Sequence, residues 1–284
     1  MTFQKVKENV HVFIDENFYD VIVGAIELPN KLLLIDTGQH LPHLKEFRNQ
    51  LETETGKKFE IVVLTHYHSD HTFGNQLFTD CRIIATKPIH ERMARMKERW
   101  DEKIIASISE KLEDKTALEG LVITLPNEEF AGQLDIIDDG IKVIIKHSAG
   151  HTKGSTYIYC PNYKVLFTGD NLFEGSYLYG GDPTCNPEIW LNVLKEFLTM
   201  DLEYIIPGHG KVANKITIEE TISFMEKIKK MMLELAQKGK TKEEIIPIID
   251  EVEFYYYDKN NADDLMLKKT TLERFYDVWI EGKE

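Results

Sequence analysis

Length, composition and charge limit the functions that this chain can have. The sequence has 284 residues, of which 42% are hydrophobic and 29% are charged, so the chain can bury a core of ordinary globular size. Its 48 acidic and 34 basic residues give a formal net charge of -14. A surface of that sign repels the phosphates of nucleic acids, which argues against a nuclease unless a local basic patch overrides it.

The cysteines and the N-terminus bear on the cellular compartment. Cys81, Cys160 and Cys185 are widely spaced and form no C-x-x-C pair, which is typical of free thiols in a reducing compartment. Residues 1–7 lack the apolar stretch of a signal peptide, and no apolar run approaches the ~20 residues of a membrane span. We therefore predict a cytoplasmic protein with no membrane association.

Strands dominate the first third of the sequence. Short apolar runs alternate with turn signals, and one helix is predicted among them at about 42–54. The run at 31–35 ends at the turn Asp36-Thr37-Gly38, and the run at 61–64 leads directly towards His66. The predicted strands lie at 10–14, 21–26, 31–35, 61–64 and 82–85.

The middle of the chain changes from helix back to strand. A strongly charged helical pattern at about 88–118 predicts one or two helices that cross a face of the fold. Asn186 followed by Pro187 is the start signal of a helix that runs to about Met200. The remaining predicted strands lie at 134–137, 141–145, 156–159, 165–167 and 204–206. Helices between strands indicate α/β layers.

The C-terminal part, 213–284, is predicted to be a helical extension. Thr217, Thr241 and Thr270 each precede a glutamate by three residues, which is the pattern of a capping box at the start of a helix. We therefore expect about three helices in this extension.

One short motif concentrates the chemistry. Four candidate metal ligands lie within six residues, directly after an apolar strand: His66, His68, Asp70 and His71. A lone histidine is more often a core or surface residue than a ligand. A cluster of this density is unlike a random surface patch, and it predicts a metal site.

Three further candidates follow later strands. His151, Asp170 and His209 each lie in a glycine-bearing turn that follows a short apolar run. Strand ends in a layered α/β fold meet at one edge, so ligands from distant parts of the sequence can converge there. A glycine beside the ligand lets the backbone turn tightly and approach the site closely.

The number and type of these residues predict two metal ions. Seven ligands are too many for one tetrahedral ion, but they suit two ions about 3.5–4 Å apart that share a carboxylate. Imidazole with carboxylate suits zinc, iron or manganese, and zinc is the metal that we expect. The other histidines are predicted to lie outside the site: His11, His40, His43, His90 and His147.

The same residues resemble a known family. The run from His66 to His71, with His151, Asp170 and His209 downstream, is similar to the H-x-H-x-D-H signature and trailing ligands of the metallo-β-lactamase superfamily. The resemblance covers about residues 10–212. It implies a four-layer αβ/βα sandwich at 1–212, with a helical insertion at about 88–118 and the helical extension at 213–284.

The resemblance also implies roles for individual residues. By the family pattern, His66, His68 and His151 hold the first ion, and Asp70, His71 and His209 hold the second. Asp170 bridges the two ions. Asp36 matches a family position close to the metals.

Departures from subfamily patterns narrow the choice. The β-lactamases with a cysteine ligand would need Cys where this chain has Asp170, and the oxygen-reducing diiron flavoproteins alter the first motif. Thr168-Gly169-Asp170-Asn171-Leu172-Phe173 resembles glyoxalase II, but 165–194 contains no basic residue to meet the glutathione carboxylates. The acyl-homoserine lactonases resemble this chain in their ligands and place a tyrosine where Phe173 stands. Tyr177 or Tyr179 could replace that tyrosine.

We therefore expect a dinuclear hydrolase of a carboxylic ester, lactone or thioester, acting on a small molecule by attack of a metal-bound hydroxide. Asp70 is expected to be catalytic, through proton transfer. Three alternatives remain open: a phosphodiesterase or nuclease with a basic groove near the metals, a mononuclear iron persulfide dioxygenase, and a non-enzymatic metal-binding protein. A homodimer also stays open, with 253–257 as a pocket wall or dimer interface.

Overall fold

The computed structural model describes residues 2–16, 18–110, 112–175, 178–252 and 262–284. Tyr177 and the segment 253–257 lie outside these residues, so the roles suggested for them stay predictions. The strands are β1 (Thr2–Lys7), β2 (Val10–Asp15), β3 (Val21–Glu27), β4 (Leu32–Ile35), β5 (Phe59–Val63), β6 (Arg82–Thr86), β7 (Glu128–Phe130), β8 (Gln133–Asp138), β9 (Ile141–His147), β10 (Thr156–Cys160), β11 (Val165–Glu174) and β12 (Tyr204–Gly210).

Helices separate or follow these strands. They are α1 (Leu41–Thr55), α2 (Ser69–Thr72), a 3-10 helix (Phe73–Phe78), α3 (Lys87–Arg99), α4 (Glu102–Ser109), α5 (Pro187–Thr199), α6 (Lys215–Gln237), α7 (Lys242–Asp250) and α8 (Ala262–Trp279). None of the helices in the described ranges is both long enough and apolar enough to cross a membrane.

The described strands form one mixed sheet that falls into two halves. Its order is β7-β6-β5-β4-β3-β12-β11-β10-β9-β8, with β1 and β2 attached beside β3. The halves meet between β3 and β12, where the described register has one pair, His209 opposite Val21. Polypeptide from both halves therefore reaches the same seam.

The two halves pack face to face over an apolar core. Alternate residues of a strand point to opposite faces of a sheet. In β4, Leu33 and Ile35 point into the core between the halves, where they join Val143 and Ile158 of the other half. The neighbouring Leu34 points outward.

Helices cover the two outer faces. Leu44 and Phe47 of α1 pack on the outward residues of β3 and β4. Trp190 and Leu194 of α5, together with Met225 of α6, pack on the other half. The order helix, sheet, sheet, helix confirms the predicted four-layer αβ/βα sandwich with a helical C-terminal region.

Some elements differ from the sequence predictions. β1 and β7 were not predicted, because they are short, rich in exposed or polar residues, and stand at the sheet margins. The last described helix of the insertion ends at Ser109, and bends and turns occupy 112–120, where helix was predicted to about 118.

The predicted capping boxes of the extension are only partly correct. The box at Thr241 is present, with Glu244 as its partner. The boxes at Thr217 and Thr270 are wrong. Thr217 lies inside α6, whose N-cap is Asn214, and Thr270 lies in the middle of α8. A Thr-x-x-Glu pattern inside a longer helix cannot cap it, so the pattern alone overstates the number of helix starts.

The last helix packs closely against the sandwich. Thr271 Oγ1 accepts a hydrogen bond of 2.8 Å from the backbone N–H of Gly180, and Arg274 Nε donates one of 2.8 Å to the carbonyl of Cys185. Phe275 is fully buried and lies edge-on to Trp190 of α5, with ring centroids 6.2 Å apart. The division at 212/213 remains a prediction, but α8 shares its core with α5.

We expect Phe275→Ala to lower the free energy of unfolding by about 3–5 kcal/mol, because it leaves a cavity beneath Trp190. Urea denaturation followed by circular dichroism measures this change. Leu233→Ala on α6 is the matched control, since Leu233 is 37% exposed, and it should cost under about 1 kcal/mol. Equal, small losses in the two variants would show that α8 is not part of the cooperative core.

Candidate metal centre

The seven predicted residues converge at the seam between the sheet halves. They form two adjacent groups, and within each group the potential ligand atoms lie within 4.8 Å of one another. The first group consists of His66, His68, His151 and Asp170, and the second of Asp70, His71 and His209. The run from His66 to His71 follows β5, and His151 follows β9. Asp170 lies in β11 and His209 lies in β12.

Asp170 lies between the two groups. Its Oδ2 is 3.5 Å from Nε2 of His66, of His151 and of His209. Its Oδ1 is 3.1 Å from Nε2 of His71. Oδ1 is buried and has no hydrogen-bond partner among the described residues. A carboxylate that reaches both groups has the arrangement needed to bridge two ions.

The imidazole nitrogens in the first group are aimed at one another. Nδ1 of His68 is 3.0 Å from Nε2 of His66 and 3.2 Å from Nε2 of His151. Ring nitrogens that carry lone pairs repel at such distances unless a proton or a cation lies between them. This arrangement fits a shared cation.

The second group has the same close spacing. Nε2 of His209 is 3.3 Å from Asp70 Oδ2 and 3.3 Å from Nε2 of His71. Asp70 Oδ2 is 3.6 Å from His71 Nε2. Asp70 and His68 are the partly exposed members, with side chains 24% and 22% accessible, so the centre opens towards solvent on their side.

The charge states also fit a metal centre. Burial lowers the pKa of His66 well below its ordinary value and that of His151 to about 4, so both rings are neutral, as metal-bound histidines must be. Burial opposes ionisation of Asp170, but His71, His209 and His66 together hold the pKa of its carboxyl well below the ordinary range. Asp170 is therefore an anion.

His71 and His209 lie beside two carboxylates that favour positive charge in their surroundings. Burial disfavours protonation of His71 and His209, yet Asp170 and Asp70 raise the pKa of both rings, that of His209 to about 10. The anionic carboxylates stabilise positive charge at this position. A divalent ion supplies that charge while leaving the imidazoles neutral.

Each of the five imidazoles is fixed through its other nitrogen. Four rings turn Nε2 towards the centre and His68 turns Nδ1, and the opposite nitrogen is hydrogen-bonded in every case. The partners are Thr65 Oγ1 for His66 (3.1 Å), Asp36 Oδ2 for His71 (2.8 Å), the Tyr179 carbonyl for His151 (2.9 Å), the Tyr19 carbonyl for His209 (2.9 Å) and Asp182 Oδ2 for His68 (3.2 Å). Such partners set the orientation and tautomer of metal-binding histidines.

Asp36 lies beside the centre, as the resemblance implies. Its Oδ1 accepts a hydrogen bond of 2.7 Å from the backbone N–H of Thr65, and its Oδ2 accepts one of 2.7 Å from the Thr65 hydroxyl. Oδ2 also lies 2.8 Å from Nδ1 of His71. Asp36 has a left-handed backbone, with φ of 60°, which turns its buried side chain back under the motif.

Asp182 was not singled out from the sequence. Besides contacting His68, the carboxylate accepts a hydrogen bond from the Tyr67 hydroxyl, which lies 2.7 Å from each of its oxygens, and bonds from the backbone and side chain of Thr184. These donors, working against burial, hold the pKa of the Asp182 carboxyl well below its ordinary value. Asp182 is 114 positions from His68 and lies in a loop without a motif, so the sequence carried no signal for it.

Two glycines bear out the expectation of close backbone approach. A Cβ atom on Gly208 would lie 1.9 Å from Asp170 Oδ1, which would displace the carboxylate. Gly169 has φ of 51°, and a Cβ there would lie 2.6 Å from Cβ of Thr65. Both strands can therefore reach the centre only with glycine at these positions.

Aromatic rings pack against the histidines from the second half of the sheet. The ring of Phe173 stacks on His209 with centroids 5.4 Å apart, and Trp190 lies edge-on to His151 at 5.5 Å. Asn171 Oδ1 accepts a 3.0 Å hydrogen bond from the backbone N–H of His151. The second-half residues are thereby held by the core.

The other histidines lie outside the centre. His90 pairs with Glu129 at 2.7 Å, and His147 contacts the carbonyl of Lys153 at 2.8 Å. A third group of possible ligand atoms joins Asp15, His40 and His43. Both ring nitrogens of His40 are engaged, by the backbone N–H of His43 and by Asp114, so this group caps α1.

A cavity of about 500 Å³ opens onto both groups. His68, Asp70, Asp170 and His209 line it on the metal side. Its walls are largely apolar and include Met96, Trp100, Phe173, Met266 and Leu267. Because Met266 and Leu267 belong to α8, the helical extension forms part of the wall.

Comparison with known proteins places this geometry in a family context. Over 227 residues the chain is 21% identical to a linear primary-alkylsulfatase from a Pseudomonas strain, which covers 69% of this chain and 43% of that protein. Over 122 residues it is 30% identical to a hydroxyacylglutathione hydrolase from Brucella ovis, which covers 42% of this chain and 35% of that protein. The chain thus spans less than half the length of these two relatives.

A solved structure matches the fold over nearly the whole chain. A stereoselective inverting sec-alkylsulfatase from Pseudomonas superposes with a TM-score of 0.73 at 16% identity, covering 98% of this chain and 50% of that one. The similarity thus extends through the helical extension.

A family model of the metallo-β-lactamase superfamily matches residues 20–209. The matched segment includes all seven residues that converge at the seam, and the fold around them is the four-layer sandwich. On these grounds the chain belongs to the metallo-β-lactamase superfamily.

Proposed function

We propose that this chain is a metal-dependent hydrolase of a carboxylic ester, lactone or thioester in a small molecule. The observation that carries the proposal is the shared carboxylate: Asp170 reaches both histidine groups at the base of a cavity with apolar walls. Such a cavity suits a small organic substrate rather than a polymer.

The donor set suits two divalent ions, and zinc is our expectation. His66, His68 and His151 would hold one ion, Asp70, His71 and His209 would hold the second, and Asp170 would bridge them. When bound, two such ions lower the pKa of a shared water and polarise the oxygen of the scissile group.

The chain's own residues supply the remaining functions. Asp70 is anionic, because His71 and His209 outweigh its burial and keep the pKa of its carboxyl well below the ordinary value. Since its side chain is partly exposed to the cavity, Asp70 is suited to accept a proton from the attacking water and pass it to the leaving group. The apolar walls exclude bulk water and bind the organic part of the substrate.

A sulfate ester is the second candidate. One of the two sequence relatives named above and the structural neighbour are alkylsulfatases. The structural similarity includes α8, which contributes to the cavity wall. The phosphodiesterase and the mononuclear iron persulfide dioxygenase remain alternatives, as does a metal-binding protein without activity.

A substrate panel tests the proposal directly. Zinc-loaded protein should hydrolyse at least one of p-nitrophenyl butyrate, a γ-lactone or an acyl thioester, and chelation with dipicolinate should abolish the activity. Turnover of hexyl sulfate alone would move the assignment to sulfate esters, and turnover of bis-p-nitrophenyl phosphate alone would move it to phosphodiesters. Oxygen uptake with a persulfide and iron would favour the dioxygenase.

We expect about two metal ions per chain after loading and desalting, because two complete groups share one carboxylate. Elemental analysis by mass spectrometry measures this ratio. Chelation should also lower the melting temperature, since ions that bind only the folded state stabilise it. A firm value of one ion per chain, unchanged by added zinc, would refute the dinuclear assignment.

We expect Asp170→Ala and Asp70→Asn to affect binding and turnover differently. Asp170→Ala removes the anion between two dications about 3.5–4 Å apart, so at least one ion should be lost. Asp70→Asn keeps the shape but removes most of the basicity, so kcat should fall by about 10²-fold or more while metal content falls less.

Metal content and kcat are measured together on both variants. Asp139→Asn, in a turn remote from the centre, is the matched control for loss of one carboxylate. Two tightly bound ions in Asp170→Ala would overturn the bridging role, and wild-type kcat in Asp70→Asn would overturn the proton-transfer role.

A further inference from the structure

A second groove adjoins the cavity at the candidate metal centre. Its lining is positively charged, whereas the chain as a whole is negatively charged. It measures about 500 Å³ and is lined by Lys87, Arg92, Arg95 and Lys153, with Glu91 as its acidic member. The whole chain has 48 acidic and 34 basic residues, so four cations around one groove run against the overall composition.

The cations in the groove come from two elements. Glu91 and Arg92 lie three and four residues after Pro88, and Arg95 lies four and three residues after them, so these residues share one face of α3. Lys153 belongs to the loop that carries His151. Its backbone N–H donates a 2.9 Å hydrogen bond to Thr184 Oγ1, which fixes the loop against the groove wall.

Most of this positive charge is not neutralised within the protein. Lys87 forms a 3.7 Å ion pair with Glu91. Among the described residues, Arg92, Arg95 and Lys153 form no ion pair with a carboxylate, although the guanidinium of Arg92 lies 5.6 Å from the ring centroid of Tyr67. Three exposed cations facing one groove attract an anion from solution.

The groove is continuous with the metal centre. Tyr67, Arg92 and Pro183 line both cavities. Tyr67 donates to Asp182, which in turn contacts His68. An extended ligand could therefore have its reacting bond at the metals, an apolar part against α8 and a charged end in the groove.

We propose that this groove is an anion subsite, and that the substrate carries a carboxylate, sulfonate or phosphate group distant from the bond that is cleaved. The inference rests on the proposed hydrolase function and names its substrate class. The absence of basic residues from 165–194 argues against a glutathione thioester, but α3 and the loop that carries His151 supply cations for a different anionic group. A volume of about 500 Å³ suits a small anionic group rather than a nucleic acid.

The test compares two double variants with the same change of charge. Arg95→Gln/Lys153→Gln removes two cations from the groove, and Lys97→Gln/Arg99→Gln removes two exposed cations from the end of α3 that line neither cavity. Isothermal titration of the zinc-loaded proteins with hexanesulfonate and with 1-hexanol measures binding without hydrolysis. Circular dichroism melting verifies that each variant is folded.

We expect the groove variant to bind hexanesulfonate about tenfold more weakly than the wild type, and the control variant to bind it unchanged, with hexanol unaffected in both. Higher salt should weaken sulfonate binding to the wild type. Equal sulfonate affinity in all three proteins would overturn the proposal. Tighter, steeply salt-dependent binding of a short oligothymidylate would also overturn it, in favour of a nucleic-acid groove.

A kinetic comparison separates this proposal from the proposed function. The ratio of kcat/KM for p-nitrophenyl hemisuccinate to that for p-nitrophenyl butyrate should fall about tenfold in the groove variant only. An unchanged ratio would contradict the subsite. If the wild type cleaves neither ester and no lactone or thioester of the substrate panel, the hydrolase proposal fails, while the titration still decides whether the groove binds anions.

Discussion

The rest of the site depends on one buried carboxylate among imidazoles. Asp170 lies within 3.5 Å of nitrogen atoms from four histidines, although an isolated buried anion is strongly disfavoured. The compensating charge must come from protons or from cations. Because burial keeps His66 and His151 neutral, the arrangement suits cations better than protons. The hydrogen bonds on the far side of every ring hold the imidazoles around Asp170. Gly208 leaves room for the Asp170 carboxylate.

Features with a short-range sequence pattern could be predicted from the sequence alone. The dense motif from His66 to His71 and the three glycine-bearing turns indicated which residues converge, because strand ends meet at a sheet edge. The bounds of α1 and of most apolar strands were also close to those observed. The exceptions are β11 and β12, which continue through Asp170 and His209, whereas both residues were predicted to lie in turns after shorter strands. The correctly predicted features depend on short-range patterns, namely periodicity, turn residues and ligand spacing.

Features that depend on tertiary contacts were missed. Asp182 contacts His68 from a loop without periodicity, and β1 is a half-exposed strand that pairs with β2. The capping boxes failed where a longer helix absorbed them, as at Thr217. The basic groove was missed because net charge averages over the whole surface, while α3 and the loop at Lys153 bring their cations together only in three dimensions.

The single register pair between the sheet halves has a consequence for folding. His66, His68, Asp70 and His71 belong to one half, whereas His151, Asp170 and His209 belong to the other. Ions held by both sets would act as cross-links across a seam where the described register has a single pair. Such a cross-link closes a chain loop of roughly a hundred residues, which restricts the unfolded ensemble much as a disulfide does. If ions bind as proposed, metal supply would determine how cooperatively the two halves unfold. Without ions, amide hydrogen exchange along β3 and β12 would report local opening before the outer helices loosen.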